Sequence, residues 1–222
     1  MIIMVGRGRK NLFFTIVFIF SALFISLSCS QTLPEIVTAD YSVIFEYKDM
    51  ENLPASRLSV FVSSANDIHR CSSIKLLSKE SGFVWETFDV VKLNEADMQW
   101  AGNVNFVAPE NEIIPSGLYE VTLVNADQEE DSFEFTVTYD SKLYECISSD
   151  AQDFMSKQNG VRKIIIYDKD GKVLFFGNRN DDLLSVRGIW NNYRDAEYFQ
   201  DIWCAKDNSV MCIMPEEKVA LE

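Results

Sequence analysis

A single histidine, His69, stands in a chain of 222 residues. Imidazole is the side chain that titrates near neutral pH, so acid–base catalysis has one such group to draw on. Ser63, Ser64 and Asp67 would have to serve beside it as nucleophile or orienting carboxylate, yet no G-x-S-x-G motif frames a serine. His69, within Asp67-Ile-His-Arg-Cys71, reads as a loop histidine without a role; a hydrolase built on it is the alternative. The same shortage speaks against zinc, because no C-x2-C pair completes a ligand set. No metal and no cofactor is expected. Basic residues are scarce as well, 20 Lys and Arg against 34 Asp and Glu. A surface of that sign repels phosphate backbones and excludes nucleic acid as a partner. Repeats and low-complexity segments are missing. Aromatic residues make up 13% of the chain, enough for a core and unlike a disordered acidic tail.

What the chain does have begins at its N-terminus. Residues 1–11 carry Arg7, Arg9 and Lys10 and no acid, and an apolar run from Leu12 to Leu27 follows, broken only by Thr15, Ser21 and Ser26. A charged segment, an apolar segment and a small residue before a cut form a signal peptide, here residues 1–28. Ser26-Leu27-Ser28-Cys29 resembles the relaxed lipobox of spirochaete lipoproteins, with Leu27 one place late, Ser26 at the usual aliphatic position and Ser28 in place of Gly or Ala. The resemblance covers residues 1–30. It implies that Cys29 is diacylated on sulfur, becomes the mature N-terminus and holds the protein on a membrane of a bacterial cell envelope.

Two other readings stay open. An uncleaved membrane anchor would need roughly 20 apolar residues, more than this run offers. Cleavage by ordinary signal peptidase lacks an A-x-A site before Cys29. All three readings place residues 30–222 outside the cytoplasm. Three of the 20 basic residues and none of the 34 acidic ones precede Cys29, which leaves 17 against 34, a net charge of −17. Such a chain does not dock on anionic headgroups by charge. The lipid is then the membrane link, and two acyl chains suffice for stable anchoring.

Removing Cys29 leaves Cys71, Cys146, Cys204 and Cys212. An even number in an exported protein favours two disulfides. Asp207-Asn208 is turn-prone and lies between the last two, which favours Cys204–Cys212 and, by elimination, Cys71–Cys146. Four unpaired buried thiols are the alternative.

Residues 29–38 form a tether, with Pro34 against regular structure. From residue 39 the hydrophobic period is two. Tyr41, Val43, Phe45 and Tyr47 alternate with Ser42, Ile44 and Glu46, and Leu58, Val60 and Val62 alternate with Ser59, Phe61 and Ser63. Further strands are expected over 73–78, 83–92 (with a face switch near Glu86-Thr87), 103–108, 119–123 and 133–139. Short strands at roughly ten-residue spacing indicate a β-sandwich. Ile114-Pro-Ser-Gly-Leu-Tyr119 and the hairpin after it resemble immunoglobulin-like and fibronectin-III-like modules of bacterial surface proteins. That resemblance spans about residues 39–140 and implies an Ig-like antiparallel sandwich with a core tyrosine opening its penultimate strand.

After Asp140 the rhythm changes. A helix is expected over 149–159, stopped by Gly160, and Asp168-Lys-Asp-Gly171 sits between two apolar strands as a hairpin turn. Helix over 181–199, a final hairpin over 202–214 and a charged tail from Pro215 complete a small α+β domain, residues 141–222. The fold expected is therefore mainly β, an Ig-like sandwich followed by that domain.

The candidates for ligand binding are aromatic. Trp100 sits in Asp97-Met-Gln-Trp-Ala-Gly102, read as a polar loop, and Trp190 with Tyr193 forms a stripe on an expected helix. Exposed indoles stack on sugar rings; packing between the two halves is the competing role. Asp168-Lys-Asp-Gly171 opens like a calcium loop, but residue 177 is Gly where a bidentate Glu is needed. The acids Asp127, Glu129, Glu130 and Asp131, and the run Asn178 to Asp182, read as solvated tips. Function is expected to be non-catalytic: a lipid-anchored envelope protein that binds a protein or glycan partner or supports structure. The alternative is a small-ligand or carbohydrate-binding accessory lipoprotein.

Overall fold

The computed structural model describes residues 35–64, 68–95, 98–109 and 112–220; Cys29 and its signal lie outside them. In chain order the strands are β1 Ile36–Glu46, β2 Ala55–Ser64, β3 Cys71–Ser78, β4 Val84–Thr87, β5 Val91–Glu95, β6 Met98–Val107, β7 Gly117–Asn125 and β8 Glu130–Val137. Then follow α1 Ser148–Lys157, β9 Val161–Tyr167, β10 Val173–Asn178, α2 Val186–Asn192, β11 Tyr198–Cys204, β12 Val210–Ile213 and β13 Glu217–Lys218. The described residues are mainly β and build two sheets. The larger has the order β10-β9-β11-β12-β1-β2-β6-β5, with β13 also on β11, and the smaller has the order β4-β3-β7-β8.

The period-two pattern explains how the sheets meet. Successive side chains of a strand point to opposite faces, so Val43 and Phe45 of β1 go inward with Leu58, Val60 and Val62 of β2. From the small sheet come Ile74, Leu76, Tyr119, Val121, Leu123 and Val137, and all these residues belong to one buried cluster. The two sheets thus share a core. The face switch at Glu86-Thr87 has a cause: the chain leaves the small sheet after Thr87 and enters the large one at Val91.

The expected boundary at 140/141 is not a break. Residues Pro34–Glu222 form one compact unit, because β12 pairs with β1 in parallel, Val43 against Val210 and Phe45 against Cys212. β12 in turn pairs with β11, and β11 with β9, both antiparallel. The C-terminal strands therefore extend the sheet that the N-terminal strands begin. The segment after Pro215, expected as a tail, adds β13 to β11.

Register carries one face across the join. Phe45 opposes Cys212, Cys212 opposes Trp203, and Trp203 opposes Arg162. Two residues along, Asp201 opposes Ile164, and Phe199 opposes Ile166. Paired residues share a face, so a second buried cluster of Ile164, Ile166, Leu183, Ile189, Ala196 and Phe199 lies on the same face as the first. The small sheet covers one end of that face. α2 and the 3-10 turn Asp181–Leu183 cover the other.

Candidate functional site

The four described cysteines are free thiols, which corrects the expected disulfides. The reason is register. Lys206 to Ser209 form an even-numbered loop, closed by the Ala205 amide on the Val210 carbonyl at 2.9 Å, so Cys204 opposes Met211 while Cys212 opposes Trp203. Cys204 and Cys212 leave their strands from opposite faces and cannot join. Cys71 pairs with Asn125 at the end of β7, whereas Cys146 lies near Tyr47 and Cys212, whose ionisation it opposes. Burial pushes the Cys71 thiol up to about 11 and the Cys212 thiol up to about 12. Neither is a nucleophile at neutral pH.

The aromatic candidates separate. Trp100 is not in a loop but inside β6, half-buried, between Ser63 of β2 and Leu93 of β5. Trp190 carries the Arg194 guanidinium over its ring at 3.5 Å. Tyr193 turns instead into the second cluster, its ring 5.4 Å from Phe175. Trp190 and Tyr193 therefore present no common stripe. Trp85 lies in the shared core, stacked on Tyr119 at 6.3 Å, and its indole N–H donates to the Val107 carbonyl at 2.7 Å. His69 is exposed in the 3-10 turn before β3, and its carbonyl accepts from Lys92 Nζ at 2.6 Å.

The acidic loop between β7 and β8 is held by its own bonds. Asn125 Oδ1 accepts from the amides of Asp127 and Glu129 at 2.9 and 3.0 Å. Asp127 pairs with Arg70, Glu130 with Lys75 at 2.7 Å, and Asp131 Oδ2 accepts the Ile36 amide at 2.7 Å. The Asp168-Lys-Asp-Gly171 turn is likewise internal: Asp168 Oδ1 accepts from the amides of Asp170 and Lys172, both at 2.9 Å, and Gly171 takes φ +76. Among the described residues no group of three His, Cys, Asp or Glu side chains has metal-site geometry.

Sequence reasoning missed the most polar buried cluster. Asp201 lies in the inward row of β11, its side chain 5% exposed, and one carboxylate oxygen accepts from Arg162 at 2.5 Å and also from Arg179. The Arg179 side chain is 6% exposed. Its remaining N–H groups donate to the carbonyls of Leu183 at 3.1 Å and Leu184 at 3.2 Å. The Arg179 guanidinium lies 5.3 Å over Phe199 and that of Arg162 lies 5.7 Å over Trp203. Arg162 Nε, Trp203 Nε1 and Asp201 Oδ1 are buried without a protein partner. The arrangement clamps β9, the exit of β10, β11 and the 181–184 turn at the seam between the two clusters. An acid at an inward position of an apolar strand was the available signal.

Three concavities accompany these features. One of about 500 Å³ lies between α1, the loop after β11 and residues 140–143; its floor is Leu143, Phe154, Met155 and Val210, its rim Asp140 and Lys206. One of about 340 Å³ lies over Asp40, Ser42, Phe61 and Asn208, and one of about 520 Å³ over Glu46, Arg57, Val104 and Val107. None of the three is lined by Trp100, Trp190 or Tyr193. No protein-family model, no curated protein and no solved structure matches this chain.

Proposed function

We propose that this is a lipid-anchored, extracytoplasmic protein of a bacterial envelope, built on an immunoglobulin-like sandwich that binds another macromolecule or supports envelope structure without catalysis. The observation that carries this reading is the N-terminus: a basic segment, an apolar run and Ser28-Cys29, followed within a few residues by the first strand. Two features support the immunoglobulin-like part. The runs β1-β2-β6-β5 and β4-β3-β7-β8 follow the A-B-E-D and C′-C-F-G strand orders of that fold. Tyr119, near the start of β7, strand F in that scheme, donates its hydroxyl to the Pro115 carbonyl at 2.8 Å, the bond of a tyrosine corner. The fold serves many unrelated jobs, so the binding role rests on the anchor and not on the fold. Intact-mass measurement on protein extracted from membranes tests it, together with in-cell crosslinking. The expected result is a chain starting at acylated Cys29 and crosslinked to an envelope protein or glycan. A chain starting at Met1 contradicts the anchor.

The cavity of about 500 Å³ favours a second reading, a small-ligand accessory lipoprotein, since ligand sites are commonly apolar clefts of 300–1,000 Å³. The occupant would meet Phe154 and Met155 and no tryptophan. Native mass spectrometry of the extracted protein separates the two readings. A retained small molecule, lost in Phe154→Ala, supports the second.

A further inference from the structure

We infer that the outer face of β2, β6 and β5, at the end where the chain enters β1, rests on a phospholipid surface with Trp100 at its centre. This rests on the reading of Cys29 as the acylated residue. Val60, Val62 and Ala101 point into the shared core, so Phe61, Met98, Trp100, Val91 and Leu93 point outward. Val91 is 37% exposed, Leu93 45% and Met98 38%, with half-buried Phe61 and Trp100 beside them. Gly102 keeps the patch flat: a Cβ there would stand 2.4 Å from Phe61 Cγ, so the phenyl ring lies across the glycine. Contiguous exposed apolar side chains mark a surface that is covered in use.

The position of the tether identifies the cover. Thr38, Ser63, Trp100 and Leu93 form one row across four neighbouring strands. Trp100 is thus two strands, about 10 Å, from β1. The tether leaves β1 at a fixed point, because the Ile36 amide is held by Asp131 at 2.7 Å. Cys29 precedes Ile36 by seven positions, at most about 25 Å of extended chain. An acyl anchor on Cys29 therefore holds this end of the sheet within one tether length of the bilayer. A short tether raises the local concentration of lipid so far that a weak apolar patch suffices. Indole suits the interface, being apolar with one polar edge. The net charge of −17 on the chain from Cys29 onward selects zwitterionic headgroups over anionic ones. The acidic β7–β8 loop belongs to the other sheet but meets this same end, where Asp131 holds the Ile36 amide and Asp127 pairs with Arg70, and its charge adds to the preference for zwitterionic headgroups.

The test uses full-length protein extracted from membranes, with its intact mass measured, in phosphatidylcholine vesicles made with and without brominated acyl chains. Expected is quenching of wild-type emission by the share of one of the four tryptophans, absent in Trp100→Phe and weakened in Leu93→Glu, while vesicle flotation persists in both. Acylated protein that floats with vesicles but is equally bright on both lipids overturns the inference and leaves the anchor standing. Protein without lipid on Cys29 that still partitions and quenches through Trp100 supports the patch and removes the anchor. Protein that does neither overturns both, and a crosslink from this patch to a protein or glycan in place of lipid overturns the patch alone.

Discussion

The two ends of the large sheet bury the same inward face by different chemistry. Under the small sheet the core is largely apolar, and its buried polar groups are uncharged and bonded to backbone, such as Tyr47 to the Leu143 carbonyl at 3.2 Å, Tyr119 to Pro115 and Asn103 to the Asp89 carbonyl. Under α2 the apolar cluster is smaller, and it is bordered by an aspartate between two arginines. Burying an ion pair contributes little net stability, but removing one partner strands a charge. The lesson is that the smaller end is specified by geometry rather than by area: Arg179 fixes the 181–184 turn, and the turn places α2.

The largest expected effect follows from that difference. Asp201→Ala leaves the Arg179 side chain buried and unpaired, and a loss of about 3–5 kcal/mol is expected, read as a fall in the urea midpoint. A change under 1 kcal/mol would show that the two ends do not differ. Leu58→Ala in the first core is expected to cost about 2–5 kcal/mol through lost burial and the cavity left behind. Both variants should lower one common transition, because the two ends share a sheet; a transition that splits in either variant breaks the comparison at the seam.

Smaller effects sharpen it. Gly102→Ala places a methyl group 2.3 Å from the Val60 carbonyl, and overpacking of this kind costs about 1–3 kcal/mol. Tyr119→Phe removes the bond to Pro115 and is expected to cost about 1 kcal/mol.

Alkaline pH is the mildest probe of the first core. Burial raises Cys71 to about 11, Cys212 to about 12 and Tyr119 to about 12, from ordinary values of 9.0 for thiols and 10.0 for phenols. The unfolded chain therefore releases its protons first as pH rises. The contribution of these groups is complete below about pH 9 and is lost between there and about 12. The urea midpoint should accordingly be level from pH 7 to 8.5 and fall by pH 10.5; a midpoint level throughout contradicts the burial argument. Denaturing alkylation without reductant should label all four of Cys71, Cys146, Cys204 and Cys212, while buried Cys71, Cys204 and Cys212 resist in the native chain at neutral pH.

Much of the strand content was legible because burial on one face writes a period of two into the sequence. β1, β2, β3, β7 and β8 all carry it, and the switch of sheets after Thr87 left its mark as a change of face. What failed was information about pairing. Nothing in Val210 to Ile213 states that β12 will lie parallel to β1, because parallel partners are chosen by tertiary packing and not by a local turn. The disulfide expectation failed for a related reason, since one residue of register decides which face a cysteine takes. The strand around Trp100 is hidden because Gln99, Gly102 and Asn103 dilute the alternation, although Asn103 faces inward and donates to the Asp89 carbonyl at 2.7 Å. The Asp201 clamp was hidden because its arginines come from two other segments, 39 and 22 residues away.

The central structural claim is that β12 joins the two halves into one sheet. Hydrogen exchange on the full chain, read by mass spectrometry over residues 40–47 and 210–214, tests it most directly. The Val43 amide donates to the Ser209 carbonyl at 2.8 Å and the Tyr47 amide to the Ile213 carbonyl at 2.9 Å. Both segments should be protected to the same degree and open together with global unfolding. Residues 210–214 exchanging within seconds while the rest of the large sheet stays protected would contradict it.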